Sequence, residues 1–403
     1  MNNEEEKDFK YVNEQIVEPS KFKKILKRIG FICMCVFIPA GVSIGVLWSS
    51  GKIPRSKETT KETTYFTFPR DTTKESENSE TSSVKDSKEE LSQKELKKTA
   101  KEVSKSFVTI LTYKSNQVKI GDKPENISSG VIIKYGTNLS ILTEYGIVQD
   151  AKKIEVIFRN KTIHEATVKS SDSITGLAVI TVADYLLDKE TRQLVEEVTL
   201  GNSMAVEKGD QVIYLGNPID DNVYEDYGII TSKSEAEIVD GQINLMYTNI
   251  NSAGNANGYL LDTNGFVIGI VNNMNNTDKK ILSVIGVSAV KGVIERLTNN
   301  VEMPYLGIRG ETITSKVVEK YDEDMPFGVF VTEVIEESPA YKSIIRTGDI
   351  IVKINNKPIR SLYHMNEVMG ASNVGTHLLI EVKRDELNGY NSYIIDVILE
   401  ERK

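Results

Sequence analysis

The spacing of apolar positions changes character along this chain, and each stretch predicts a different kind of element. Residues 1–28 are mostly polar and end in the basic run Lys21-Phe-Lys-Lys-Ile-Leu-Lys-Arg28. Ile29 to Trp48 is then apolar and uncharged. About 20 such residues suffice to cross a bilayer as a helix. Because Lys and Arg precede that stretch, the spacing predicts a cytoplasmic tail (1–28), a transmembrane helix (29–48) and an external remainder. A cleaved signal peptide is the rival reading, weakened by the long charged tail and the lack of an Ala-x-Ala site. Residues 49–98, rich in Ser, Thr, Lys and Glu, cannot bury a core and predict a flexible stalk. Helical spacing emerges near their end, from Lys85 to Val103.

From 99 to 299 the period shortens. Apolar runs such as Phe107-Val-Thr-Ile-Leu, Ser140-Ile-Leu-Thr, Leu177-Ala-Val-Ile-Thr-Val, Asp210-Gln-Val-Ile-Tyr-Leu and Phe266-Val-Ile-Gly-Ile recur between turn signals. Many short strands at this spacing predict a barrel or sandwich, closed by a helical run from Val287 to Leu297. From 300 to 403 the pattern restarts, with strands near Gly328, Asp349 and Leu378 and an amphipathic helix over Ser361–Met369.

Composition narrows the chemistry. The chain has 403 residues, room for two or three domains, and a net charge of -9, which disfavours nucleic acid as a partner. The two cysteines, Cys33 and Cys35, both lie in the apolar stretch, so no disulfide framework or cysteine metal site is expected outside it, and no metal or other cofactor. The three histidines are His164, His364 and His377.

The run Thr248-Asn-Ile-Asn-Ser-Ala-Gly-Asn-Ala-Asn-Gly-Tyr-Leu-Leu-Asp-Thr-Asn-Gly-Phe-Val-Ile-Gly-Ile270 resembles the nucleophile segment of HtrA-type, trypsin-like serine proteases. Further matches run in family order: Ser129-Gly-Val-Ile-Ile, Leu200-Gly-Asn-Ser, Gly209-Asp-Gln-Val-Ile-Tyr-Leu-Gly-Asn-Pro218 and Tyr227-Gly-Ile-Ile-Thr-Ser. The resemblance implies two six-stranded barrels. It also locates the triad. The histidine position, within Ile141-Leu-Thr-Glu-Tyr-Gly-Ile-Val148, falls on Gly146. The aspartate position, within Asp172-Ser-Ile-Thr-Gly-Leu-Ala-Val-Ile180, falls on Gly176, and the serine position falls on Ala256. Serine proteolysis needs a nucleophile, a base and a carboxylate that orients the base, and these residues supply none of them. Ser252 is an alternative nucleophile only after a four-residue slip of the match, and it would still need a base. The family's oxyanion loop would here use the N–H groups of Gly254 and Ala256, with Asn257 and Tyr259 replacing a glycine and a proline. That loop reads either as a residual ligand site or as a plain turn.

Downstream, Tyr305-Leu-Gly-Ile308 resembles the carboxylate-binding loop of a PDZ domain. The long run from Glu336 to Ser361 resembles the rest of one, departing at Ser343-Ile344, where Ala-Gly is usual, and at Asn356. Such a loop holds a terminal carboxylate on the N–H groups of Leu306, Gly307 and Ile308, beside a helix wall for which Met365 is a candidate. The expectation is therefore a predominantly β chain: a trypsin-like double barrel (99–299), then a PDZ domain (300–403), on one membrane helix. It reads as a surface pseudoprotease that binds peptide or protein C-termini as a scaffold or sensor. An active endopeptidase with a non-standard residue set, or a structural subunit of an active relative, are the alternatives. The resemblance also implies a trimer.

Overall fold

Alternation along short antiparallel strands closes two barrels. β1 (Phe107–Tyr113), β2 (Asn126–Tyr135), β3 (Asn138–Glu144), β4 (Lys153–Ile157), β5 (Ile163–Asp172) and β6 (Leu177–Ala183) close in the order β1-β2-β3-β6-β5-β4. β7 (Gln211–Ile219), β8 (Asn222–Ile238), β9 (Gly241–Asn251), β10 (Gly258–Leu261), β11 (Val267–Val271) and β12 (Ile281–Gly286) close in the order β10-β11-β12-β9-β8-β7. Closure leaves neither sheet an unpaired edge. Inward positions fill each lumen, with Ile110, Ile141 and Ile180 in the first barrel and Val212, Met246 and Leu260 in the second. Phe107, Leu142, Leu177, Leu215 and Tyr259 form the layer between them.

This computed structural model describes residues 65–71, 91–119, 121–219, 222–252, 256–271, 280–322 and 324–402. The expected tail, membrane helix and most of the stalk lie outside them. Among the described residues no helix is long and apolar enough to cross a membrane. Residues from Tyr65 onward form one unit.

Two segments fasten the barrels from outside. The leading helix is realised as Gln93–Val103; Ser92 caps it in a reciprocal box with Glu95, and Leu96 and Ala100 face the inter-barrel core. Such caps contribute about 1 kcal/mol. Within the stretch read as stalk, Tyr65–Asp71 lies along the closing helix Val287–Asn299. Asn299 bonds the N–H and carbonyl of Phe66 at 2.9 and 2.7 Å, Glu295 accepts from the Phe68 N–H at 2.6 Å, and Lys291 pairs with Asp71 at 2.7 Å. Phe68 enters the inter-barrel core. Composition averaged over fifty residues hides this strap, because its two phenylalanines are diluted by polar neighbours.

The third part is a sheet of β14 (Ile308–Thr312), β15 (Val329–Val334), β16 (Ile350–Ile354), β18 (His377–Glu386) and β19 (Gly389–Ile398), with β17 (Lys357–Pro358) paired to β16. β13 (Pro304–Tyr305) pairs with β20 (Glu400–Glu401). The helix Leu362–Ala371 covers the sheet through Leu362, Met365 and Met369. Asn355 and Asn356 carry the β16–β17 turn in the left-handed region, which asparagine tolerates. Ile344 also sits there, at φ +63°, where a β-branched side chain is strained.

Candidate functional site: the inter-barrel cleft and the carboxylate loop

Gly146 is exposed in the single turn Tyr145–Val148 after β3, and Gly176 immediately precedes β6. The Tyr145 N–H donates to the Gly176 carbonyl at 2.8 Å, which sets the expected base and orienting positions side by side. Ala256 leads into β10, 1% exposed within the core of the second barrel. Its neighbour Asn257 crosses to the first barrel, where its Oδ1 accepts from the Ser129 N–H at 2.8 Å. The Ser129 carbonyl in turn accepts from Thr143 Oγ1. Gly146 and Gly176 thus lie side by side on the first barrel, and the residue after Ala256 reaches across to it where the barrels meet.

Bulky side chains occupy that meeting point. Tyr259 is buried edge-on to Phe107, with ring centroids 5.5 Å apart, and its hydroxyl donates to the Leu142 carbonyl at 2.6 Å. Tyr214 is buried in the second barrel and donates to the Asn257 carbonyl at 2.7 Å. β7 and β10 approach so closely there that a Cβ on Gly216 would lie 2.0 Å from the Asn257 oxygen. Glu144 ends β3 beside these rings. Burial pushes its carboxyl up to about 7, and its Oε1 has no hydrogen-bond partner among the described residues. Burial, with the Glu144 charge adding to it, holds both tyrosine hydroxyls above their ordinary range and therefore neutral.

None of the histidines turns toward this cluster. His164 stacks edge-on with Phe158 and lies 3.7 Å from Asp188. His364 is held by Ser361, and His377 by Asp396. Ser252 follows β9, with its N–H on the Lys280 carbonyl. Of the candidate oxyanion loop, Gly254 lies outside the described residues and Ala256 is the buried residue above.

The expected carboxylate loop is formed, and it is filled. Gly307 turns at φ +86° against Ser338, where a Cβ would come within 2.1 Å of the Ser338 Cβ, and this turn aims successive N–H groups at one point. The carboxylate of Asp240 sits there. It accepts from the N–H of Leu306, Gly307 and Ile308 at 2.8, 2.7 and 3.0 Å. Asp240 belongs to the second barrel. It closes the two-residue turn of the β8–β9 hairpin at φ +63°, and its own N–H donates to the Ile308 carbonyl at 2.8 Å. Across the groove, the Asn366 amide accepts from the Gln242 N–H at 3.0 Å and donates to the Gln242 carbonyl at 2.7 Å. Arg402 lies 4.0 Å from the Asp240 carboxylate and 3.3 Å from Asp172. Burial pushes the Asp240 carboxyl up, opposed by the three N–H donors and Arg402. Leu306 and Ile308 point into the PDZ core, and Tyr305 is partly exposed on β13. Met365 is fully buried in that core, so Asn366 is the helix residue that meets the hairpin.

The trypsin-like peptidase domain profile matches residues 128–270, and the PDZ domain profile matches residues 304–389. A probable periplasmic serine endoprotease, DegP-like, of Chlamydia trachomatis is 28% identical over 252 residues, 61% of this chain and 49% of that protein. The serine protease Do-like HtrB of Bacillus subtilis is 28% identical over 278 residues, 64% of this chain and 59% of its own length. The chain therefore spans about half to three fifths of these relatives. A solved structure of the HtrA-type protease AlgW with a decapeptide superposes with a TM-score of 0.56 at 19% identity, covering 76% of this chain and 99% of that one. This chain belongs to the HtrA-type serine protease family.

The sequence offered Gly146, Gly176, Ala256 and the Leu306–Ile308 loop within that HtrA frame; the Gly146 and Gly176 turns lie side by side and the three loop N–H groups converge, while Ala256 sits in the core of the second barrel. What it missed was Asp240. The Asp240-Gly241 pair between apolar runs signals a hairpin turn. Nothing local says that this turn reaches a loop 66 residues further along the chain.

Proposed function

We propose that this HtrA-type chain is a pseudoprotease that binds peptide or protein C-termini through its PDZ domain, as a scaffold or sensor at the outer face of a membrane. One observation carries the reading: Gly146, Gly176 and Ala256 offer neither a nucleophile nor a proton acceptor where the triad belongs. Two others support it. The three histidines lie elsewhere, His164 against Phe158, His364 on Ser361 and His377 on Asp396. The space between the barrels holds Tyr259, and Tyr214 fills the second barrel beside Asn257. Terminus binding is supported by the formed loop, whose three N–H groups already converge on a carboxylate. The anchor rests on the uncharged stretch 29–48 behind its basic flank. Trimer formation is carried over from the family resemblance.

The test is hydrolysis of casein by the purified chain, beside Ser252→Ala and Ala256→Ser variants. We expect no cleavage above background from any of them. Cleavage by the parent chain that disappears in Ser252→Ala would establish an active endopeptidase instead.

A further inference from the structure

We propose that Asp240 is a built-in competitor for the PDZ carboxylate loop, so that the groove accepts an external C-terminus only after the β8–β9 hairpin lets go. The inference rests on the peptide-binding reading of that loop and concerns its regulation.

Asp240 makes the bonds that a terminal residue would make. Its carboxylate takes the N–H groups of Leu306, Gly307 and Ile308. Its own N–H donates to the Ile308 carbonyl, the first rung that an added strand would form on β14. β14 ends the order of its sheet, so this is the edge open to an added strand. The hairpin lies along it, with Glu237 of β8 close to Arg309 and Glu311. On the far wall, Asn366 holds Gln242 at both its N–H and its carbonyl. Gly241 makes room for this fit: a Cβ there would lie 1.7 Å from Asn366 Oδ1, so a larger residue displaces the amide from Gln242. Two carboxylates cannot share three N–H donors, so hairpin and terminus exclude one another. An occupied groove lowers the apparent affinity for an outside ligand by the fraction of molecules that are open. The occupant is tethered in the same chain, so dilution does not release it.

Two variants open the groove by different routes. Asp240→Asn keeps the shape but places an N–H donor among donors, whereas Gly241→Ala pushes the hairpin off Asn366. The probe is a fluorescent decapeptide pool with an apolar last residue, prepared with a free or an amidated C-terminus and titrated into the full chain. Hydrogen exchange of the Leu306, Gly307 and Ile308 amides is followed without peptide. We expect both variants to bind the free-carboxylate pool at least about tenfold more tightly than the parent, to ignore the amide, and to exchange those amides faster. Equal affinity in parent and variants would overturn the competition while leaving terminus binding intact. Unchanged exchange would overturn the seating of Asp240 itself. If no chain binds either pool, the peptide reading fails and the competition falls with it.

Discussion

Arg402 Nη1 lies 3.3 Å from Asp172 Oδ1, joining the residue after β20 to the end of β5, and the same guanidinium lies 4.0 Å from Asp240. One cation thus serves a buried carboxylate from each barrel, while its backbone N–H bonds Met303. Asp172 also accepts from Thr175, at 2.6 Å from its hydroxyl. Removing one partner of a buried pair leaves an uncompensated charge, at a cost of about 3–5 kcal/mol. Arg402→Ala should lose that much in urea unfolding, and adding Asp172→Asn should restore part of it. A loss under about 1 kcal/mol would show that water replaces the guanidinium without difficulty.

Glu144 makes stability depend on pH. Its folded carboxyl is raised to about 7 from an ordinary 4.5, so below that lower value both states are protonated and nothing is lost. Between the two values the folded chain keeps a proton that the unfolded chain releases, and stability falls as pH rises. Above about 7 the penalty is complete, at most about 3 kcal/mol because Glu144 keeps some solvent contact. Glu144→Gln should flatten the stability profile between about pH 4.5 and 7, the window those values define. The midpoint of denaturant unfolding at a series of pH values measures it, and identical slopes in parent and variant would reject the assignment.

Refitting the triad should not restore proteolysis. Gly146 is exposed and an added Cβ there meets nothing, so a side chain can start from that position. Gly176 does not offer the same welcome: at φ +71° it holds a conformation that strains a side chain and redirects the carboxylate it would bear. Ala256 is sealed in the second barrel. The combined Gly146→His, Gly176→Asp, Ala256→Ser chain is expected to cleave casein no faster than the parent. A rate rise of about a hundredfold would show that the cleft remains competent.

Ile344 is 65% exposed at φ +63°, so it contributes strain and little packing. Ile344→Gly relieves about 1–2 kcal/mol of steric conflict and gives back about half of it in unfolded-chain entropy. A net gain of about 0.5–1 kcal/mol in thermal or urea unfolding is expected.

The barrels were legible because their strands alternate, and the order of short motifs supplied the family. β9 was less so: in Gly241-Gln-Ile-Asn-Leu-Met-Tyr-Thr-Asn-Ile-Asn251 polar residues interrupt the apolar ones, and Gln242 and Thr248 are themselves buried. The contents of the cleft were half legible. Tyr259 was visible as a replacement for proline, but its bond to Leu142 spans 117 residues, and no local pattern encodes such a pairing. Ile344 was visible as a missing glycine, and the structure gives the reason it matters.

The tyrosines that fill the cleft and the barrel behind it have a historical consequence under the proposed function. An alanine alone at position 256 could revert in a single step. Tyr259, bonded to Leu142, joins the two barrels, and Tyr214, bonded to Asn257, packs the second. Removing a large buried aromatic costs about 3–5 kcal/mol, a large share of a domain's total stability. A lineage returning to proteolysis would have to pass through unstable intermediates before gaining any activity. The refilled cleft therefore acts as a ratchet, and selection on this chain now bears on what it holds.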